Sequence, residues 1–318
     1  EALEGEVSEV NNTKKFFMEV LEGREKILLV YNSPHPDVKA LRDIFQNRKN
    51  LVLDVISLKE EKNIIIKDYQ LVVFHGLPTF TNQVNRLISE TKLAHIPAVY
   101  FVTNQTYLPL FNASSNVLTI KSKGDQSHVT SFVNDEFDYF EVPYYVSKLI
   151  NKFSPVEVPY GEYGIKTGGV LLLGQKVGKL KTDYPILAMK YGDNKEGVFV
   201  GEGFWKWRME TLAKGDDVKL FDDYFFKYFQ LLANNRSFDR LKVYPVENEF
   251  TTTQRVIFQA ATYNKLYESV YGKKIHLTIK NEKEEKQQYT FVSSEVKGGF
   301  VLPFQPKGIY SYNSDVLL

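Results

Sequence analysis

Four short apolar runs, residues 27–31, 51–56, 71–75 and 98–102, alternate with stretches of helical periodicity. That alternation constrains the fold more than any other feature of the chain. After the first run come Asn32, Ser33, Pro34, His35 and Pro36, and then a helical pattern from Asp37 that puts Val38, Leu41 and Phe45 on one face. After the third, a helix is predicted that brings Val84, Leu87 and Ile88 together. The runs are nearly all apolar, which suits strands buried on both faces, and strands alternating with helices predict a parallel sheet covered on both sides. The fold class expected is α/β.

From residue 116 to 200 helices thin out. Residues 117–120, 169–173, 185–190 and 197–200 read as strands, with a short helix over 144–150, while Pro155, Pro159, Gly161, Gly164, Gly168 and Gly169 suggest a long irregular connection. The strongest helical signal follows over residues 219–233, where Phe221, Tyr224, Phe225, Tyr228, Phe229 and Leu232 recur at spacings of three and four. Such a stripe is expected to be a core-facing seam rather than an aromatic ligand box. Beyond Leu241 the chain turns to short segments, 241–246, 254–262, 274–279, 287–292, 300–302 and 309–312, with a charged hairpin tip at 281–286. Segments of that length with turns between them predict a β-sandwich.

Composition excludes several function classes. The 318 residues carry 40 Lys and Arg against 39 Asp and Glu, and no stretch concentrates positive charge, so nucleic acid is not an expected partner. The absence of cysteine removes disulfides, thiolate metal sites and cysteine nucleophiles together. The five histidines, His35, His75, His95, His128 and His276, are dispersed, and none falls at the short spacings of zinc sites, so no metal is expected. No phosphate-loop or dinucleotide fingerprint is present, and no cofactor is expected. The longest apolar runs fall far short of the roughly 18 residues that span a bilayer.

The segments around residues 26–30, His35-Pro36-Asp37, residues 68–78 and above all Gly201-Glu202-Gly203-Phe204-Trp205-Lys206-Trp207-Arg208 resemble a family of bacterial membrane-anchored proteins. Members carry a noncatalytic class I glutamine amidotransferase-like domain, a flavodoxin-like parallel sheet with helices on both faces, flanked by immunoglobulin-like modules. The resemblance implies a closing strand of a preceding immunoglobulin-like module over residues 1–22, the amidotransferase-like domain over 23–240, and an immunoglobulin-like β domain over 241–318. It also implies a periplasmic or extracytoplasmic location, tethered to the membrane through segments outside this chain. Active class I amidotransferases place a cysteine after a strand and a histidine after a later one. Here Asn104 stands nearest the first position, and Phe204 or Trp205 near the second. An amide cannot attack a carbonyl, so the resemblance implies a pseudoenzyme.

Ligands of open α/β sheets bind outside the carboxyl ends of the strands. The candidate crevice there comprises Asn32, Ser33, His35, His75, Asn104, Glu202, Trp205 and Arg208, with Asp37 read either as part of a polar cluster or as the cap of its own helix. Trp205 and Trp207 would share a face if extended, either anchoring the segment or offering a stacking platform for a sugar or peptide. The function expected is noncatalytic sensing of a small-molecule or glycan ligand, or interaction with a protein partner in the cell envelope. The alternative is a hydrolase acting through Ser33 and His35.

Overall fold

The computed structural model describes residues 25–46, 48, 51–60, 64–81, 84–192, 194–215, 218–234, 241–247, 250–251, 253–264, 269–294 and 299–316. The expected closing strand over residues 1–22 lies outside them.

In chain order the first unit contains β1 (Glu25–Tyr31), α1 (Pro36–Gln46), β2 (Leu51–Ser57), β3 (Leu71–His75), α2 (Asn85–Leu93), β4 (Ala98–Val102), α3 (Leu108–Ser114), β5 (Leu118–Val133), α4 (Tyr144–Ile150), β6 (Val156–Ile165), β7 (Gly169–Val177), β8 (Leu180–Lys190), β9 (Glu196–Val200), α5 (Phe204–Ala213) and α6 (Val218–Ala233). Nine strands form one sheet in the order β2-β1-β3-β4-β9-β8-β7-β5-β6. Pairing is parallel from β2 through β9 and antiparallel from β9 through β6. The sheet is therefore mixed. The parallel half matches the expected alternation of strands and helices, and the antiparallel half is fed by direct connections such as the turn from β7 to β8.

The chain steps from β1 to β2 in one direction and from β3 to β4 in the other. With the right-handed crossover that parallel strands almost always take, this order puts α1 and α2 on opposite faces of the sheet. β3 and β4 are buried at every position, as strands covered on both sides must be. The aromatic stripe of α6 is a core seam: Phe221, Tyr224, Phe225, Tyr228 and Phe229 are all buried, and the helix packs on α1 and α5. The Tyr228 hydroxyl donates to Ala188 O at 2.9 Å, so the one polar atom of that ring is satisfied inside the core.

Three elements depart from the sequence reading. The strand expected to stop at residue 120 continues to Val133, and the stretch expected to be irregular holds β6. β6 is the edge strand of the sheet, where Pro159 and two glycines are tolerated because one side of the backbone needs no ladder partner. The segment from Phe204 to Ala213 is a helix rather than an extended run. Trp205 and Trp207 therefore do not share a face: the Trp207 indole is wholly buried and stacks on Phe153 with ring centroids 5.1 Å apart, while Trp205 is only half-buried.

The remaining strands, β10 (Leu241–Pro245), β11 (Ile257–Thr262), β12 (Lys274–Asn281), β13 (Lys286–Val292), β14 (Phe300–Val301) and β15 (Tyr310–Val316), form two antiparallel three-stranded sheets, β10-β11-β14 and β13-β12-β15. Phe258, Leu277, Ile279 and Leu302, contributed by both sheets and the residue after β14, form their small common core. Among the described residues no helix is long and apolar enough to cross a membrane.

Candidate functional site

The parallel strands β1, β3, β4 and β9 all end on the same edge of the sheet, and the residues that follow them meet there. The order β2-β1-β3-β4 reverses direction between β1 and β3, which is where an α/β sheet opens a crevice. His35 comes from the loop after β1, His75 is the last residue of β3, Asn104 follows β4 and Glu202 follows β9. Neighbouring positions in the sheet thus bring together residues up to 167 apart in sequence.

Asp37 lies at the centre and is wholly buried. It sits in the first turn of α1, yet its carboxylate caps α5: Oδ1 accepts the Trp205 N–H at 2.7 Å and Oδ2 accepts the Gly203 N–H at 3.4 Å. A carboxylate is favoured at a helix N-terminus because unpaired N–H groups and the helix dipole both point at it. The expectation that Asp37 caps its own helix is corrected accordingly. Oδ2 also faces both histidines, 3.5 Å from His35 Nδ1 and 3.8 Å from His75 Nε2. The two imidazole rings lie 4.9 Å apart.

Both nitrogens of His35 have polar neighbours. Its Nδ1 accepts the Asp37 N–H at 3.1 Å, which assigns the proton of the neutral ring to Nε2, and Nε2 faces Glu202 Oε2 at 3.7 Å. The Glu202 carboxylate raises the His35 pKa above its ordinary value, against the lowering effect of burial, and Asp37 adds to the rise. Glu202 responds in the opposite sense: His35 lowers its pKa, opposed by burial, and the Asn104 N–H donating to Oε1 at 2.9 Å lowers it further. Gly201 and Gly203, both at φ 116, flank Glu202 and let the chain turn sharply on either side of it. A Cβ on Gly201 would lie 2.8 Å from Glu157 O, so this strand exit requires glycine for space as well as conformation.

His75 is 3% exposed, and its Nε2 has no hydrogen-bond partner among the described residues. Buried polar atoms are almost always paired, which makes this nitrogen the most unusual atom of the edge. The ring lies over Phe101 with centroids 6.1 Å apart.

Of the residues expected in the crevice, Asn32, Ser33, His35, His75, Asn104 and Glu202 meet at this edge. Trp205 contributes its backbone N–H to Asp37, whereas its indole packs against the core. Arg208 does not belong to the crevice: a helical turn beyond Phe204, its guanidinium pairs with Asp222 at 2.8 Å and Asp43 at 2.9 Å, tying α5 to α6 and α1. Gln105 was missed. Its Oε1 accepts from Asn32 Nδ2 at 2.9 Å and from Ser33 Oγ at 2.7 Å, closing the loop after β1 onto the loop after β4. Its position one residue past Asn104 at a strand end was the available signal. A separate cavity of about 610 Å³ lies among the C-terminal strands, lined by Phe258, Phe291 and Phe300; it borders segments outside the described residues and contains none of the candidate residues.

No protein-family model matches the chain, and no curated protein matches it by sequence. Among solved structures it is similar to a glutamine amidotransferase from Thermotoga maritima, with 14% identity, 67% of this chain and 94% of that one covered, and a TM-score of 0.38. It is similar also to PurLQS from Thermotoga maritima, at 12% identity over 65% of this chain and 99% of that one, with a TM-score of 0.38. Alpha-L-fucosidase isoenzyme 2 from Paenibacillus thiaminolyticus is aligned over 92% of this chain and 48% of its own length at 9% identity and a TM-score of 0.41. Glutamine amidotransferase class I folds are thus among the structural neighbours, at low identity and low TM-score.

Proposed function

We propose that this chain is a noncatalytic ligand-binding or protein-interaction region of an envelope protein, and that it binds through the edge formed by His35, Asp37, His75, Asn104 and Glu202. One observation carries the reading: the groups that a hydrolase would combine are each committed elsewhere. Ser33 Oγ donates a hydrogen bond to Gln105 Oε1, His35 Nδ1 accepts one from the Asp37 N–H, and His35 Nε2 faces Glu202. A serine nucleophile needs a base within hydrogen-bond reach of its hydroxyl, and neither imidazole is the partner of Ser33 here. Asn104, nearest the position of an amidotransferase nucleophile, is an amide whose backbone N–H holds Glu202.

The extracytoplasmic setting and the immunoglobulin-like character of the C-terminal unit belong to the same proposal. They are supported by the family resemblance of the Gly201 to Arg208 string and by two antiparallel sheets that share a core. The test is to immobilise the whole chain, pass a bacterial envelope extract over it, and identify what is retained. Retention of a protein or glycan by the wild type, lost on His35→Ala or Glu202→Ala with an unchanged circular dichroism spectrum, is the expected result. Retention indifferent to both substitutions would remove this edge from the proposal.

A further inference from the structure

We propose that His35, Asp37 and His75 hold a first-row divalent transition metal ion, zinc being the best matched, with Glu202 as the residue that positions His35. The inference rests on the binding reading above and specifies the ligand class of that edge. Each of the three side chains offers a ligand atom, and these atoms all lie within 4.8 Å of one another.

Two of the three ligand separations suit such an ion, and the third, between the imidazoles and within 4.8 Å, requires the rings to draw together on binding. Zinc binds imidazole nitrogen and carboxylate oxygen at about 2.0–2.2 Å, which separates neighbouring ligands of a tetrahedral site by roughly 3.4 Å. Asp37 Oδ2 stands 3.5 Å from His35 Nδ1 and 3.8 Å from His75 Nε2, a slightly expanded version of two such edges. Asp37 is also divided in the way a monodentate ligand requires. Oδ1 is held by the short bond from Trp205 N–H, while Oδ2, which has only the long 3.4 Å bond from Gly203 N–H, faces the imidazoles.

The unpartnered His75 Nε2 points to a ligand independently of the clustering. The ring is buried beside a buried carboxylate, and a cation between them would satisfy the nitrogen and the carboxylate together. Two imidazoles with one carboxylate select transition metals over calcium or magnesium, which take oxygen ligands. Glu202 completes the arrangement. A carboxylate accepting from one imidazole nitrogen orients the ring and leaves the other nitrogen free to ligate, and Glu202 Oε2 faces Nε2 of His35, opposite Nδ1. On binding, the ion would replace the 3.1 Å contact of Asp37 N–H with Nδ1. Three protein ligands leave a further coordination position for a group from a partner, a small ligand or solvent.

The experiment uses the whole chain, stripped with a chelator and titrated with zinc by calorimetry and with cobalt by visible absorption. Uptake of one equivalent is expected, with d–d bands on cobalt loading and no response to magnesium. His35→Gln and His75→Asn should each abolish uptake, and Glu202→Gln should weaken it by about tenfold or more. If His75→Asn fails to fold, His35→Gln, whose side chain reaches solvent, and the cobalt spectrum of the wild type decide the matter. No uptake by the wild type, or uptake unchanged in His35→Gln, overturns the metal site while leaving noncatalytic binding to its own capture assay. Zinc-dependent hydrolysis lost in both histidine variants would keep the metal and overturn the noncatalytic reading.

Discussion

The α/β unit and the C-terminal strands solve the same problem at very different scales. In the first, among the described residues, a nine-stranded sheet is packed with α-helices, and an apolar core draws on residues from Ile27 to Ala233. In the second, two three-stranded sheets share a core of Phe258, Leu277, Ile279 and Leu302. Apolar burial stabilises in proportion to area, and stability is the small remainder after conformational entropy is subtracted. The larger unit therefore tolerates a buried carboxylate and an unpaired imidazole nitrogen at its edge, whereas the smaller one has little reserve.

The largest expected effect comes from Trp207→Ala. The indole is fully buried, stacks on Phe153 and donates through Nε1 to Ser154 O at 2.8 Å. Truncation should cost about 3–5 kcal/mol, seen as a large drop in melting temperature, while Trp205→Ala, half-buried, should cost clearly less. Equal effects of the two substitutions would break the picture of α5 as a helix with one face in the core. Gly197→Ala comes next. An added Cβ would lie 2.1 Å from Tyr228 Oη and 2.8 Å from Leu232 Cδ1, so overpacking by about 1–3 kcal/mol is expected, partly relieved by adding Tyr228→Phe.

How far the sequence foretold this depends on where the determining contacts lie. β1, β3 and β4 were legible because a strand buried on both faces is apolar throughout, and α6 because its aromatic stripe keeps helical spacing. β6 was hidden by Pro159, Gly161 and Gly164, which local rules assign to loops but an edge strand accepts. α5 was hidden because its cap, Asp37, lies on another helix far away in sequence. The edge location of His35, His75 and Glu202 followed from strand ends alone. The meeting of Asp37 Oδ2 with two imidazoles did not, since it depends on tertiary packing that brings the first turn of α1 to the end of β3, and dispersed histidines gave no spacing signal.

Hydrogen exchange sharpens the comparison between the two units directly. Amides of β3 and β4 should exchange only by global unfolding, while those of β11 and β14 should open at lower free energy; equal protection would show that both units unfold as one.

The smallest expected effect concerns Glu196, a buried carboxylate at the start of β9. Ser115 Oγ donates to its Oε1 at 2.5 Å and Asn116 N at 2.9 Å. Burial raises its pKa above the ordinary carboxylate value, against these two bonds and nearby lysines. The folded state therefore binds the proton more tightly than the unfolded state. Its favourable contribution is full below the ordinary carboxylate pKa and is lost as pH rises toward the folded value. Glu196→Gln should flatten that part of the stability profile and leave the protein at least as stable at neutral pH; a steeper decline with pH would contradict the assignment.

The most direct measurement of the central claim is turnover. The purified whole chain should be incubated with glutamine and with a panel of ester and amide substrates, with and without zinc. No release of product above buffer is expected, because Ser33 Oγ is hydrogen-bonded to Gln105 and His35 Nδ1 to the Asp37 N–H, with His35 Nε2 facing Glu202, rather than Ser33 and His35 to each other. Product formed by the wild type and lost in Ser33→Ala or His35→Ala would contradict it.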